Sequence, residues 1–311
     1  MAHAERREAA RNGVHPAREK VRLEQAGKPV PAPLAEHVAR GEERLFSLLR
    51  GMLGLDQLAA VNVGAAPTPP DVLEFFHAIG IPVSELWGMS ETTGMGTVNP
   101  PERIKIGTVG KPCPGVEIRL ASDGEILIRG DVVMTGYRNL PEKTAEVLDR
   151  EGWLATGDIG EIDADGYVKI VDRKKELIIN SAGKNMSPAN IESTLKGASS
   201  LIGQACVIGD RRPYNTALIV LDADFAPVWA AEHGLADTSL AALAGDPAVR
   251  AAVQTDVDQA NTRLARVEQI KRFHILPEDW PAGGDELTPT MKLKRKPIAE
   301  KYAREIDAMY A

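Results

Sequence analysis

The sequence predicts a chain that combines α/β and α+β architecture. Three observations carry that expectation. Residues 58–86 run strand, helix, strand, the order of a βαβ unit. Residues 105–172 are strand-rich and broken by tight-turn signals. Beyond Asp172 helical and extended patterns are mixed, as in a small α+β domain.

Taken in order, residues 1–30 are rich in Ala, Arg and Glu, and Gly13 and the His15-Pro16 step interrupt them. They read as two short, strongly charged helices. Their apolar periodicity is slight, so they must lean on another element or fray. Lys28 to Pro33 is a breaker, and a helical stretch follows to about Leu53. Leu58–Pro67 is a short apolar strand running into small residues. A helix opened by Pro69-Pro70 and closed by Gly80 comes next, then a strand over Ile81–Leu86. This unit is expected at the edge of a larger parallel sheet, as though the chain began partway through a doubly wound domain. Ser122-Asp123-Gly124 and Asp163–Gly166 are turn signals, and the second, between two extended stretches, marks a hairpin. After Asp172 the pattern gives a helix at Pro188–Lys196, strands at Ala205–Gly209 and Ala217–Leu221, and a further helix. Val253, Val257, Ala260, Leu264 and Val267 recur at spacings of four, three, four and three, one face of a helix. A strand over Gln269–Leu276 and a helix from Pro297 complete the reading. The expected division is a helical segment 1–57, a second part 58–172 and a small domain 173–311, the last joint falling in the charged segment 171–177.

Composition narrows function. The chain has 311 residues, 37 basic and 44 acidic side chains and a formal charge of −7. That balance argues against nucleic acid as a partner, because neutralising phosphates takes a basic excess. Cys113 and Cys206 are the only cysteines, which excludes a disulfide framework and an all-cysteine zinc site. The charged start has no apolar signal core and no run approaches the ~20 apolar residues of a membrane span, so the expected compartment is cytoplasmic.

The most informative stretch is Trp87-Gly88-Met89-Ser90-Glu91-Thr92-Thr93-Gly94, which packs hydroxyls and a carboxylate into one turn after an apolar strand. Such a turn presents backbone N–H groups and hydroxyls to phosphate and a carboxylate to Mg²⁺. Downstream come Thr156-Gly157-Asp158, Asp172–Glu176, Ser181–Pro188 and Thr288–Lys292. In this order and spacing the five motifs resemble the adenylate-forming family that includes acyl-CoA synthetases, firefly luciferase and peptide-synthetase adenylation domains. The likeness covers about residues 58–300. The wording around Gly64–Pro67, Trp87–Gly94 and Leu287–Lys296 looks most like the long-chain fatty acid–CoA ligase branch, including its bubblegum-type members.

The resemblance implies the C-terminal part of an adenylate-forming large domain followed by the complete small mobile C-terminal domain. It implies an enzyme that joins a fatty acid to AMP from ATP and passes the acyl group to CoA, an acid–thiol ligation. In that scheme Lys292 and Glu91 are the catalytic pair, Glu91 also holding Mg²⁺. Gly64, Ala65, Ala66, Trp87, Gly88, Met89, Ser90, Asp158, Arg173 and Lys292 match nucleotide-binding positions. Trp87 takes the aromatic position that stacks on adenine, and Asp158 matches the carboxylate that accepts from the ribose hydroxyls. Ser181, Ala182, Gly183 and Lys184 match the loop that lines the CoA pantetheine path, and Lys175 occupies the hinge. The implied small molecules are ATP, Mg²⁺, CoA and a fatty acid, and peripheral membrane contact is compatible with the last.

Each match has a plainer reading. Ser/Thr/Gly turns and lone Thr-Gly-Asp triplets are usually loops, and Lys292 is followed by Lys294, Arg295 and Lys296, which reads equally as a solvated basic tail. Ser181–Lys184 also fits a Ser-x-x-Lys acylation pattern, without its companion motifs. Asn185 after Gly183-Lys184 rules out a Walker loop. The six histidines form no paired metal motif, and no Gly-x-Ser-x-Gly elbow is present. One departure matters. The family's Ser/Thr/Gly-rich phosphate loop ending in Pro-Lys-Gly is absent, since Gly110–Gly115 has no hydroxyl run and lies after the Trp87 turn. The expectation is therefore a chain lacking the N-terminal half. It is either a ligase, the split partner of a separate chain carrying that half, or a catalytically incomplete nucleotide- and CoA-binding fragment.

Overall fold

The computed structural model describes the backbone of residues 2–311 and the side chains of residues 14–43 and 45–311. It divides into two compact units, residues 1–171 and 172–311.

The first unit opens with α1 (Ala2–Gln25), a single helix that runs through Pro16. This corrects the expectation of two short helices. An internal proline costs about 3 kcal/mol, but tertiary contacts hold this helix on both sides of it. Ala17 and Val21 are buried and Val14 packs with them against α4 (Pro70–Ala78). Arg18 donates to Asp71 and Glu74, and Arg22 to Glu74 at 2.9 Å. The helix therefore leans on α4 through an apolar stripe and a charged rim. Gly27, with φ +64, ends it, and Lys28 N donates to Leu23 O, a left-handed cap suited to glycine. Then come α2 (Ala32–Gly41), a five-residue π turn over Glu42–Phe46 and α3 (Ser47–Met52).

Strand β1 (Val61–Val63) pairs in parallel with β2 (Val83–Trp87), Val61 opposite Val83, with α4 as the crossover. This parallel pair with its crossover helix is the βαβ unit that the sequence predicts. Beyond β2 the sheet continues antiparallel through β3 (Thr97–Val98) and β4 (Lys111–Pro112), in the order β1-β2-β3-β4. A second four-stranded sheet holds β5 (Val116–Leu120), β6 (Glu125–Gly130), β7 (Leu154–Ile162) and β8 (Val168–Arg173), with α5 (Pro141–Val147) inserted after β6. Both expected turns are hairpin turns here, at Gly124 (φ +84) and Gly166 (φ +81). Trp87, Ile126, Ile128, Leu154 and Val168 form the core between these strands.

In the second unit β9 (Ile178–Ile179) and β10 (Asn185–Met186) form a short hairpin. The main sheet is β11 (Ile202–Ile208), β12 (Asn215–Leu221) and β13 (Ile270–Leu276), with β12 central. All seven residues of β12 are buried, because both faces are covered, and a doubly covered strand reads as an unbroken apolar run. Ala217, Ile219 and Leu221 meet α6 (Pro188–Ala198), α7 (Phe225–Glu232), α8 (Leu240–Gly245) and α9 (Pro247–Asn261). Leu218 and Val220 face Trp280, α10 (Arg295–Lys301) and α11 (Ala303–Ala308). Helix α9 stops at Asn261, six residues short of the Val267 that the periodicity includes. Asn261 spends its side chain on the backbone of Ile270, accepting from N and donating to O at 2.9 Å each. That starts β13 and leaves Val267 exposed.

Leu73 on α4 is 1% exposed and belongs to the apolar cluster that includes Ala17 and Val21 of α1. Leu73→Ala should cost about 2–5 kcal/mol, the usual range for a buried leucine. In a denaturant titration the transition of the first unit should move to lower midpoint while that of the second keeps its own.

Candidate active site

The sequence-predicted residues fall into two groups, one in each unit. In the first unit Gly64, Ala65 and Ala66 follow β1 and are exposed. A Cβ on Gly64 would stand 2.7 Å from Leu86 Cδ1 and 3.0 Å from Leu86 O, so only glycine lets this strand end lie against β2. Ala65 sits in the left-handed region at φ +70. Beneath them Glu85 is buried and accepts from Thr68 N at 3.2 Å, and burial raises its carboxyl above the usual range.

Trp87, at the end of β2, is buried against the sheet core, and its Nε1–H donates to Asp158 Oδ2 at 2.8 Å. Two residues 71 apart in sequence thus meet directly. Asp158 reaches the indole because Gly157, at φ +73, kinks β7, while Thr156 Oγ1 donates to Ile126 O and accepts from Asp158 N. The indole edge is also hemmed by Gly96, where a Cβ would lie 2.7 Å from the ring. Trp87 is therefore a ring fixed by a hydrogen bond to the neighbouring site carboxylate, and it keeps only 9% of its surface.

The turn after Trp87 differs from its sequence reading. Gly88 packs so close to Gly94 that a Cβ would stand 2.3 Å from its carbonyl oxygen. The N–H groups of Thr92, Thr93, Gly94 and Met95 all donate to carbonyls inside the turn, and Met89 N donates to Thr92 Oγ1. Those amides are committed, so the turn is not the open amide cradle expected. It instead exposes the Ser90 side chain and leaves the Glu91 carboxylate half-buried. Tyr137 OH donates to Glu91 Oε1 at 2.8 Å, and Met134 N to Glu91 O at 2.7 Å. The Glu91 hydrogen bond raises the Tyr137 hydroxyl pKa, with burial adding to it. Sequence reasoning missed Tyr137, which lies 46 positions from Glu91 on the segment between β6 and α5. No spacing rule links them.

In the second unit Arg173 ends β8 and is exposed, its backbone N donating to Asp172 Oδ1 at 2.6 Å. Asp172 is buried and also accepts from Ser187 Oγ at 2.6 Å and Ala189 N at 3.2 Å, the start of α6. Lys175 sits exposed in a turn closed by Glu176 N and Leu177 N on Arg173 O. Ser181, Ala182, Gly183 and Lys184 are the exposed loop between β9 and β10. Asn180 Oδ1 organises it by accepting from Ala182 N and Lys184 N, and Gly183 turns the chain at φ +73.

Lys292 stands on the loop Thr288–Lys292, closed by Thr288 N on Lys292 O at 2.8 Å and Lys292 N on Thr288 Oγ1 at 3.0 Å, with Met291 at φ +62. The four nearby cations separate clearly. Lys294 Nζ donates to Gly284 O at 2.8 Å. Arg295 makes a bidentate pair with Glu192 at 2.6 and 2.8 Å and reaches Glu176 at 3.3 Å. Lys296 lies 3.9 Å from Glu300 on the exposed side of α10. The Lys292 ammonium is exposed and has no hydrogen-bond or ion-pair partner among the described residues. A basic tail would leave all four in solvent; here two are anchored and one projects from the loop they brace.

Residues 15–138 match the AMP-binding enzyme family, and residues 175–311 match the AMP-binding enzyme C-terminal domain. The chain is similar to a Mycobacterium tuberculosis protein that bears the name fatty-acid–CoA ligase fadD11. The two are 53% identical over 286 residues, covering 92% of this chain and 50% of that protein. It is 42% identical over 267 residues to the long-chain-fatty-acid–CoA ligase FadD15 of Mycobacterium bovis, covering 86% of this chain and 44% of the other. Among solved structures, the A domain of carboxylic acid reductase from Segniliparus rugosus, in complex with AMP and a co-purified carboxylic acid, superposes with a TM-score of 0.68. It is 22% identical and covers 96% of this chain and 46% of that one, a likeness of fold. The chain spans about half the length of the curated relatives it matches. No helix among the described residues is long and apolar enough to cross a membrane.

Replacing Trp87 by Phe keeps an aromatic ring and removes the indole N–H that Asp158 receives. Trp87→Phe should destabilise the first unit by about 1–3 kcal/mol, the cost of taking a donor from a buried acceptor. Chemical denaturation followed by tyrosine fluorescence or circular dichroism measures it, and an unchanged midpoint would mean the bond contributes nothing.

Proposed function

Because the chain belongs to the AMP-binding enzyme family, we propose that it acts in AMP-forming fatty acid–CoA ligation. The fatty acid is activated with ATP as acyl-adenylate and its acyl group passes to CoA. The observation that carries this reading is Lys292, a lone exposed cation on a loop whose neighbours Lys294 and Arg295 are tied down. Activation brings a carboxylate to the α-phosphate, so it needs positive charge in place more than proton transfer. Lys292 supplies that charge. Asp158, held by Trp87, is the ribose-side acceptor; the Gly64–Ala66 strand end takes adenine close to the backbone, with Gly88, Met89 and Ser90 facing its phosphates. Arg173 adds a second contact to the nucleotide.

Glu91 is the residue that would hold Mg²⁺. Among the described residues no group of three or more His, Cys, Asp or Glu forms a ready-made metal cage. That suits a hard ion that is bound by one or two carboxylates together with substrate phosphates. When bound, the ion neutralises charge on the triphosphate. Tyr137 fixes one oxygen of Glu91. Lys175, in its exposed turn, is the pivot about which the second unit changes orientation between half-reactions, and Ser181–Lys184 meets CoA in the second orientation. A cytoplasmic place accords with this chemistry, and a fatty substrate allows peripheral membrane contact.

A second reading has its own support. The chain spans about half the length of its relatives, and on this second reading it is a nucleotide- and CoA-binding part that works only together with the N-terminal half those relatives carry. ATP–pyrophosphate exchange separates the two: exchange by the 311-residue chain alone supports the first, and exchange only after fusion to the N-terminal half of the fadD11 relative supports the second. In whichever form is active, Lys292→Ala should lower adenylate formation by about 10²–10³-fold, the usual effect of removing one preorganised charge contact. Thioester formation from supplied acyl-adenylate and CoA should fall much less. Equal losses would make Lys292 structural.

A further inference from the structure

We propose that Tyr137 sets the cation preference of the nucleotide site, by leaving Glu91 a single free carboxylate oxygen and so favouring Mg²⁺ over Ca²⁺. The inference rests on the reading that Glu91 would hold Mg²⁺, and it adds the residue that tells one divalent cation from another.

The segment that carries Tyr137, between β6 and α5, is fixed without help from the phenol. Met134 N donates to Glu91 O at 2.7 Å, and Leu140 N to Tyr137 O at 3.1 Å. Tyr137 N donates to Thr144 Oγ1 at 2.9 Å, and that hydroxyl donates in turn to Leu140 O at 3.0 Å. Gly136 lets the chain pass close to the same threonine, since a Cβ there would stand 2.9 Å from both Thr144 Oγ1 and Cγ2. Backbone and threonine thus close the loop. The Tyr137 hydroxyl is spent on something else, its 2.8 Å hydrogen bond to Glu91 Oε1.

That bond makes the two carboxylate oxygens unequal. Glu91 is held at two points, its backbone carbonyl by Met134 and its Oε1 by Tyr137. Oε2 has no hydrogen-bond or ion-pair partner among the described residues, and the side chain is half-buried. A carboxylate with one oxygen already engaged offers a cation one bond rather than a chelate. Mg²⁺ accepts such a ligand, because it keeps several waters and takes few carboxylates beside substrate phosphates. Ca²⁺ collects about six to eight oxygens and often draws both from one carboxylate. Among the described residues no group of three or more His, Cys, Asp or Glu is at hand to make up that number. The hydrogen-bond partner behind a metal-binding side chain typically governs about 10–100-fold of metal affinity. Tyr137 stands in that place, and it acts through Glu91 as a positioning residue.

The test titrates AMPPNP, a non-hydrolysable ATP analogue, into the 311-residue chain by calorimetry with Mg²⁺, with Ca²⁺ and with a chelator alone. The variants are Tyr137→Phe, Glu91→Gln and the double variant. Phenylalanine keeps the ring and every backbone bond of the loop, and removes only the hydroxyl. In the unmodified chain Mg²⁺ should tighten AMPPNP binding more than Ca²⁺ does. Tyr137→Phe should cut the Mg²⁺-dependent gain about ten-fold and leave the Ca²⁺-dependent gain unchanged or larger, so that the preference narrows or reverses. Glu91→Gln should abolish both gains, and adding Tyr137→Phe to it should change nothing further. Equal losses with both cations in Tyr137→Phe would make the tyrosine a structural residue and overturn the proposal. So would an unaltered preference, or no cation-dependent binding by the unmodified chain. Failure of the ligase reading has a different signature, no thioester from acyl-adenylate and CoA in the fused chain, so the two failures stay distinguishable.

Discussion

The second unit depends on one buried ion pair, Arg295 with Glu192. Glu192 sits on α6 with almost no exposure, and burial pushes its carboxyl up against the pull of the guanidinium. Burial opposes the charge on Arg295 as well, but the Glu192 hydrogen bonds and charge outweigh it and keep the guanidinium protonated. Two parallel N–H···O bonds and a third donor, Val207 N at 2.8 Å, satisfy the carboxylate. A pair so buried adds little net stability, yet loss of either partner strands a charge in the core. The geometric consequence is larger. The pair fixes where α10 begins relative to α6, and the Lys292 loop ends three residues earlier. Through Glu176 the same guanidinium touches the segment that holds Lys175. Cys206 lies buried alongside with its thiol pushed up to about 12, so it remains a neutral packing group.

The first unit obeys a steric constraint of similar reach. Gly88 and Gly110 face backbone at distances that no Cβ tolerates, and a Cβ on Gly64 would stand 2.7 Å from the Leu86 side chain and 3.0 Å from its carbonyl oxygen. These contacts press the end of β1 against β2, close the turn after β2 on itself and lay the residue before β4 against the end of β3. The Trp87 to Asp158 bond then links that sheet to β7. Close backbone approach shapes the strand ends and the turn, and a side-chain hydrogen bond joins Trp87 to Asp158.

Much of this was legible in the sequence. The βαβ order, the Asp163–Gly166 hairpin and the apolar run of β12 depend on local pattern and turn chemistry, and local pattern is what a sequence displays. What escaped depends on partners far along the chain. Helix α1 crosses Pro16 because Leu73, Asp71 and Glu74 hold it, and nothing within residues 1–30 reports them. Helix α9 ends early because Asn261 is claimed by Ile270. Of the candidate site, the residue types were readable from five motifs, but not the inward-turned amides of Thr92–Met95 or the Tyr137 bond to Glu91. Nor does a run of Lys294, Arg295 and Lys296 reveal which cation is buried; only the position of Glu192 in space decides that.

The claim that the buried pair builds the Lys292 loop is tested most directly by hydrogen exchange across residues 286–295 in Glu192→Gln, Arg295→Met and the double variant. Either single change should destabilise the second unit by about 3–5 kcal/mol and accelerate exchange at Met291, Lys292 and Lys294, whose amides close the loop. The double variant should recover part of the stability without restoring protection of the loop. Unchanged exchange at those three amides in a destabilised single variant would contradict the account, because the loop would then hold its shape without the pair.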